Sequence, residues 1–142
     1  MLEVTRRYHF SASHRLHVDS FSDDENLRMF GKCNSPFGHG HNYTLEVTAR
    51  GDVDEATGLV IDQPVLNELV ESAVLRDMDM KYLNEQVPAF TQAVVPTTEN
   101  VVNEIRQRLQ ARWVETFGAA GPKLARIRII ETRKNEFEVS CD

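Results

Sequence analysis

The sequence predicts an α+β domain in which two helices pack on one face of a four-stranded antiparallel sheet. Apolar and polar residues alternate in a long N-terminal segment and again from residue 41 to 50, which is typical of antiparallel strands with one buried face. Two later segments instead repeat their apolar residues at helical spacing, and a hairpin pattern closes the chain. Strands grouped at the two ends of the chain, with helices between them, favour the α+β class.

The first strand is predicted at about 2–16, and the second begins near His41. In the first strand the even-numbered residues from Tyr8 to His14 share one face. In the second, apolar residues at 43, 45, 47 and 49 alternate with polar ones. The alternation therefore places both His14 and His41 on the apolar faces of their strands.

The two helices are predicted from their first turns and their apolar stripes. Asp62 is suited to cap the first helix, with Pro64 tolerated in its first turn. A threonine within the segment 96–100 caps the second, which ends at Gly118. The predicted buried stripes are Leu66, Leu69, Val70, Ala73 and Val74 in the first helix and Val101, Val102, Ile105, Leu109 and Trp113 in the second.

A C-terminal hairpin supplies the last two strands. They are predicted at Leu124–Thr132 and Phe137–Cys141, around a turn at Lys134 and Asn135. A sheet of four strands has two open edges, and open edges favour pairing between subunits. We therefore expect an oligomer.

Length and charge predict a single domain spanning residues 1–142 and argue against several functional classes. A net charge of -6 with no basic stripe argues against nucleic-acid binding. The first seven residues lack the apolar segment of a signal peptide, and no apolar run approaches the roughly 20 residues of a membrane helix. The two cysteines are far apart in sequence, which favours a reduced, cytoplasmic protein.

Three histidines predict a catalytic zinc site. His39 and His41 are two residues apart, so in an extended segment their side chains leave the same face. With His14 they offer three nitrogen ligands, which leaves one position of tetrahedral zinc open for chemistry. His17 is the rival third ligand on spacing alone.

Cys33 lies beside Lys32 in a loop punctuated by Gly and Pro rather than in an apolar run. A neighbouring cation and a nearby zinc ion would lower the thiol pKa and favour the thiolate. The thiolate could serve as a general base, a nucleophile or a fourth zinc ligand. The last role would close the site and make it structural.

Glu131 is in line with the apolar residues Ile127 and Ile129 of the third predicted strand. A buried carboxylate needs a partner. That partner could be an arginine of the protein, or a ligand with two parallel N–H donors such as the amino-pyrimidine edge of a pterin.

The chain resembles the 6-pyruvoyl-tetrahydropterin synthase family, which also contains 6-carboxytetrahydropterin synthase. The resemblance covers nearly the whole length of the chain. The sequence segment that precedes Cys33 looks more like that of the pyruvoyl branch. The segments that carry it are Phe10–His14, Gly31–Asn34, His39–Tyr43, Thr97–Asn100 and Glu131–Thr132.

The resemblance implies a tunnelling fold. In it three subunits join their sheets into a twelve-stranded barrel, and two trimers stack into a homohexamer with active sites at subunit interfaces. It also implies the site residues, by matching position. They are zinc ligands His14, His39 and His41, catalytic Cys33 and Asp79, and pterin-binding residues Thr98, Glu99 and Glu131.

The implied reaction converts 7,8-dihydroneopterin triphosphate to 6-pyruvoyl-tetrahydropterin with loss of triphosphate, with Zn2+ as cofactor and Cys33 as general base. The alternative is the carboxy branch, which uses the same substrate in queuosine and other deazapurine biosynthesis. One position departs from the family pattern: Met80 stands where the relay histidine follows Asp79. A thioether cannot carry a proton. Either another group, such as Asp79 itself, Lys81 or Tyr82, replaces the histidine, or the chain is a catalytically impaired pterin-binding homologue.

Overall fold

The computed structural model describes residues 1–141, so Asp142, the last residue of the predicted 1–142 domain, lies outside the described residues. The strands are β1 (Leu2–His14), β2 (His39–Gly51), β3 (Lys81–Tyr82), β4 (Lys123–Ile130) and β5 (Glu136–Ser140). The helices are α1 (Asp23–Phe30), α2 (Gln63–Val70), α3 (Leu83–Gln86) and α4 (Thr98–Phe117), with 3-10 turns at Gly31–Asn34 and Pro88–Phe90. A π-helical turn (Glu71–Leu75) and a last α-helical turn (Arg76–Met78) extend α2.

The strands form one mixed sheet in the order β3-β1-β2-β4-β5. The four long strands are antiparallel neighbours, as the alternation predicts. The prediction of only four strands is wrong, because β3 pairs in parallel with β1 at Ala12 and Ser13. A backbone hydrogen bond from Met80 to the carbonyl of Ser11 (2.6 Å) draws this segment onto the sheet edge. A strand of two residues is too short to show alternation in the sequence.

Both predicted helix starts are confirmed. The Asp62 carboxylate accepts the backbone N–H of Val65 at 3.1 Å, and the Thr97 hydroxyl accepts that of Asn100 at 3.2 Å. Side chains at a helix start that accept these otherwise unpaired N–H groups stabilise the first turn. All ten residues of the two predicted apolar stripes are buried in the core, and Gly118 ends α4.

The sequence analysis predicts no helix between the first two strands, but α1 lies there. Ser22 caps it by accepting the N–H of Glu25 at 3.2 Å, and three acidic residues occupy its first turn. Its buried residue is Asn26, whose side chain bonds the backbone of Val18 rather than packing in the core. α1 has only eight residues and buries no apolar side chain, so hydrophobic periodicity over a long window does not reveal it, although its Ser-x-x-Glu capping pattern is present.

The two faces of the sheet differ sharply. Apolar side chains of β1, β2 and β4 form the core under the long helices, including Phe10, Tyr43, Leu45 and Ile127. The opposite face, called here the open face, carries polar side chains such as Thr5, Arg7, Glu46 and Arg128. Among the helices of residues 1–141, none combines the length and the apolar character that crossing a bilayer requires.

Glu46 is a buried carboxylate at the centre of the open face, only 5% exposed. It accepts Nε of Arg7 at 2.6 Å and Nε of Arg128 at 2.7 Å. Burial alone would raise the pKa of Glu46, but the hydrogen bonds and charges of the two arginines outweigh burial and lower the pKa. The ionised carboxylate therefore stabilises the folded sheet and ties β1, β2 and β4 together.

We predict that Glu46→Gln lowers the free energy of unfolding at pH 7 by about 1–3 kcal/mol, since a buried amide then faces two arginines. A carboxyl with a lowered folded-state pKa stabilises the fold above its unfolded pKa of about 4.3, and this contribution fades as the pH falls further. Urea unfolding of both proteins at pH 7 and pH 3.5 measures the difference. Glu138→Gln, on the same face, is the control and is expected to change little. An equal loss at both pH values would contradict the role assigned to the charge.

Candidate metal and ligand site

His14 ends β1 inside the core and is 0% exposed. Its Nδ1 donates a hydrogen bond to the backbone carbonyl of Pro96 at 2.8 Å. That bond fixes the ring orientation and leaves Nε2 unprotonated in the neutral tautomer, which is the state that binds a metal. The sequence prediction that His14 faces the apolar side is confirmed, and its ligand nitrogen points away from Pro96.

The first residues of β2 bring two more imidazoles to this end of β1. The register pairs His14 with His39 and Ala12 with His41. The ring centroids of His14 and His41 lie 4.9 Å apart, as do those of His39 and His41. The three predicted ligands therefore lie together, in edge-to-face contact with one another.

Cys33 reaches the histidines from the 3-10 turn between α1 and β2. Its carbonyl accepts the N–H of Leu16 at 2.8 Å, and the Asn34 side chain donates to the carbonyl of Leu16 at 2.9 Å. Gly38 lets the loop return close to β1: its φ is +78°, and a Cβ there would lie 3.0 Å from the carbonyl oxygen of His14. The turn is thus fastened to the segment that follows β1.

His14, Cys33 and His41, called here the His–Cys–His cluster, form a group that could hold a metal ion. The two Nε2 atoms lie 3.1 Å apart, and Cys33 Sγ lies 3.7 Å from His41 Nε2. Two nitrogen ligands on one tetrahedral zinc ion are about 3.3 Å apart, and a sulfur and a nitrogen ligand about 3.6 Å. The donor set therefore fits zinc with little movement. His39 is not a member of this cluster.

The ionisation states of the cluster follow from burial and from Glu131. Burial lowers the pKa of His14 and that of His41, although the charge of Glu131 opposes the fall at both. Neutral imidazoles are the form that binds metals. Burial raises the pKa of the Cys33 thiol, and Glu131 raises it further. Lys32 is exposed and the nearby charge of Glu131 is negative, so the lysine does not lower the thiol pKa as its place in the sequence suggests.

Glu131 directly follows β4 and accepts a short hydrogen bond from the hydroxyl of Thr98. Thr98 is the first residue of α4 and is buried at 1% exposure. Within residues 1–141, no lysine or arginine forms an ion pair with Glu131, so an internal salt bridge does not account for this carboxylate. Its remaining acceptor positions suit a ligand with N–H donors.

Residues around the start of α4 position both His14 and Glu131. Pro96 holds His14 by its carbonyl, and Thr98 holds Glu131 by its hydroxyl. The Asn100 side chain donates to the carbonyl of Val95 at 2.8 Å and so fixes the turn that presents Pro96. The sequence analysis used Thr97–Asn100 as a helix start and did not find the Pro96 contact. A backbone carbonyl gives no residue-type signal.

Other predicted residues lie apart from the cluster. His17 lies beside Asn34, with 2.9 Å between His17 Nδ1 and the Asn34 amide nitrogen. Asp79 is exposed on the sheet edge, where its carboxylate accepts the N–H of Ser11 at 2.9 Å. In the described part of the chain, no hydrogen bond or ion pair joins Asp79 to the cluster. Glu99 is exposed beside Thr98, and Met80 is 78% exposed with φ 61°.

A cavity of about 460 Å³ lies beside β3 at the same edge. Its lining includes Ser11, Ser13, His41, Met80 and Tyr82. His41 thus belongs both to the His–Cys–His cluster and to the wall of an open cavity. The arrangement joins a metal-binding group to a space large enough for a small molecule.

The fold and this site define an α+β protein with a partly buried cluster of imidazoles and a thiol, near a carboxylate that can bind N–H donors. The sequence model of the family described as 6-pyruvoyl tetrahydropterin synthase matches residues 3–141. The chain belongs to this family.

Two relatives show the closeness of the match. The chain is 45% identical over 133 residues to the human 6-pyruvoyl tetrahydrobiopterin synthase, covering 94% of this chain and 87% of that protein. The solved structure of the Caenorhabditis elegans 6-pyruvoyl tetrahydropterin synthase superposes with a TM-score of 0.84 at 38% identity, covering 99% of this chain and 96% of the other. A 6-carboxy-5,6,7,8-tetrahydropterin synthase of Rickettsia typhi is 25% identical over 123 residues, with 77% and 80% of the two chains covered.

Proposed function

We propose that this chain is a lyase that converts 7,8-dihydroneopterin triphosphate to 6-pyruvoyl-tetrahydropterin with loss of triphosphate, as a step of tetrahydrobiopterin biosynthesis. The pyruvoyl branch is favoured over the carboxy branch by 45% identity to the human synthase against 25% to the Rickettsia protein. We further propose that residues 1–142 form one domain and that it acts in the cytoplasm, where a free thiol stays reduced.

The observation that carries the proposal is the position of Glu131 relative to the His–Cys–His cluster. The charge of Glu131 acts on the pKa of His14, Cys33 and His41, so the carboxylate lies near all three donors of the cluster. A pterin triphosphate has the matching chemistry, because its amino-pyrimidine edge offers two N–H donors and its side chain offers hydroxyl oxygens.

Each residue then has a distinct role. His14, His39 and His41 hold the metal, with His39 turning from its edge contact with His41 to complete the set. Glu131, held by Thr98, anchors the pterin ring, and Glu99 lies at the rim. A bound zinc ion would act as a Lewis acid toward the side-chain hydroxyls and would supply the positive charge that favours the Cys33 thiolate. Cys33 then takes protons from the substrate side chain as general base.

The second candidate function is a pterin-binding homologue with impaired catalysis. Met80 favours it, since the thioether beside Asp79 cannot carry a proton. Asp79 is exposed and holds the Ser11 N–H with one oxygen. It would have to serve alone or with Lys81 or Tyr82, which follow it on the sheet edge.

We expect zinc-loaded protein to convert dihydroneopterin triphosphate and to release triphosphate, with the products identified by mass spectrometry. A 6-carboxy product would move the chain to the other branch of the family. Bound but unchanged substrate would favour the impaired homologue.

Cys33→Ala is the control for this assay. As general base, Cys33 is dispensable for metal binding, so the variant is expected to keep one zinc per chain and to lose at least about a hundredfold in kcat. His14→Ala, by contrast, removes a buried ligand and is expected to lose the metal. Loss of zinc from Cys33→Ala would make the thiol a metal ligand and the site a structural one.

We propose that the chain assembles as a trimer whose sheets close into a twelve-stranded barrel, and that two trimers stack into a hexamer. The outer edge of β1 lies open from Leu2 to Phe10, since β3 pairs only at Ala12 and Ser13. β5 is the other edge strand, and it runs opposite to β1, so two copies could continue one antiparallel sheet. Sedimentation is expected to give six times the 16.2 kDa chain mass. A monomer at assay concentrations would contradict the proposal.

We predict that Met80→His raises kcat on dihydroneopterin triphosphate by at least about tenfold, because it places an imidazole beside Asp79. The left-handed backbone at residue 80 also suits histidine better than methionine. Steady-state kinetics of both proteins measure the change, with Met80→Leu as the control that adds no proton carrier. A fall or no change would show that the site uses another proton relay.

A further inference from the structure

We propose that the hydroxyl of Tyr43 is a ligand-binding donor of this site, which contacts the bound pterin between the end held by Glu131 and the end held by the metal. Tyr43 lies in β2, two residues after His41, and was assigned to the core by its apolar alternation. The inference rests on the proposed function, and it adds a residue that neither the sequence analysis nor the family match assigns.

The Tyr43 hydroxyl is buried without a partner. The residue is 1% exposed, and its oxygen makes no hydrogen bond within the described part of the chain. Buried polar groups nearly always have a partner, because leaving one unpaired costs the desolvation of that group. An unpaired hydroxyl in the core therefore requires a specific explanation.

The ring of Tyr43 is held firmly, so the hydroxyl has a fixed direction. It stacks on Phe10 with ring centroids 4.9 Å apart and an interplanar angle of 18°. The ring of His41 is a second neighbour, with 5.5 Å between the ring centroids. A buried ring packed against two others cannot readily turn its hydroxyl toward another acceptor.

The surroundings of the hydroxyl are the residues of the candidate site. Besides burial, the pKa of the phenol is shifted by three neighbouring groups, which are Glu131, Thr98 and Cys33. Thr98 is close enough to influence it, but the two hydroxyls do not form a hydrogen bond, and the Thr98 proton goes to Glu131. The Tyr43 hydroxyl therefore lies among the residues of the candidate site, on a ring that neighbours His41.

The position also indicates which part of the ligand it meets. Glu131 suits the amino-pyrimidine edge of a pterin, and the His–Cys–His cluster suits the oxygen atoms of its side chain. The pyrazine ring lies between these two parts of the molecule, and its imine nitrogen N5 accepts a hydrogen bond in both neopterin and its 7,8-dihydro form. A phenol is neutral at pH 7 and donates one O–H. We assign the Tyr43 hydroxyl to a nitrogen of that ring.

Tyr43→Phe separates a ligand-binding hydroxyl from a structural one. Removing an unpaired buried hydroxyl leaves the ring packing intact, so the unfolding midpoint in urea is expected to stay equal or rise. Binding of neopterin to zinc-loaded full-length protein, followed by fluorescence, is expected to weaken about three- to tenfold. Zinc content is expected to remain at one ion per chain.

Tyr8→Phe is the matched control, because the Tyr8 hydroxyl has a partner in the fold. It donates to Oδ1 of Asn67 at 2.8 Å, far from the cluster in the register of β1. This variant is expected to lower the unfolding midpoint and to leave neopterin affinity unchanged. The two substitutions should thus have opposite effects on stability and on binding.

Two results would overturn the inference alone: neopterin affinity of Tyr43→Phe within twofold of wild type, or a loss of stability as large as that of Tyr8→Phe. In both cases the wild-type protein still binds neopterin and converts dihydroneopterin triphosphate. If the wild-type protein does neither, the proposed function fails, and the assignment of Tyr43 fails with it.

Discussion

The antiparallel register between β1 and β2 is the constraint on which the whole site depends. Thirteen residue pairs join the two strands, from Leu2 and Gly51 to His14 and His39. Since side chains alternate between the faces, a slip of one residue would move His14 and His41 from the core to the open face. On the core face of the sheet, the stacked rings of Phe10 and Tyr43 stabilise this register. On the open face, the hydrogen bond between Arg7 and Glu46 stabilises it. The donors of the His–Cys–His cluster thus lie at one end of this pairing and depend on its register.

A second support comes from the start of α4, and it joins two parts of the site that are distant in sequence. Pro96 orients His14, and Thr98 holds Glu131. Asn100 fixes the turn between the preceding loop and the helix. Because all three lie within five residues around the start of α4, a shift of the helix start would disturb the His–Cys–His cluster and the Glu131 carboxylate together. This physical coupling is carried by hydrogen bonds of a single segment rather than by a separate domain.

The sequence predicted the structure correctly where a pattern repeats over several residues. It did not predict the structure where a single contact determines the position of a segment or side chain. Alternation placed His14 and His41 on the buried face, and helical spacing with a threonine cap located α4. The two residues of β3 carry no pattern, and their position follows from the Met80 hydrogen bond to Ser11. The contact of Cys33 with His41 depends on how a 3-10 turn is fastened to Leu16, which no local rule predicts. Tyr43 shows the same limit, because its alternation indicates burial but not that its hydroxyl lacks a partner.

Met80 adopts a backbone conformation that is energetically unfavourable for methionine. Its backbone is left-handed, which costs a non-glycine residue roughly 1–2 kcal/mol. The conformation is imposed from both sides, since the Asp79 carboxylate accepts the Ser11 N–H and the Met80 N–H bonds the Ser11 carbonyl. Burial of the Met80 side chain does not offset this free-energy cost, because the side chain is 78% exposed beside the cavity that His41 lines. The left-handed backbone at Met80 is therefore held by the two hydrogen bonds to Ser11 and not by burial of its side chain.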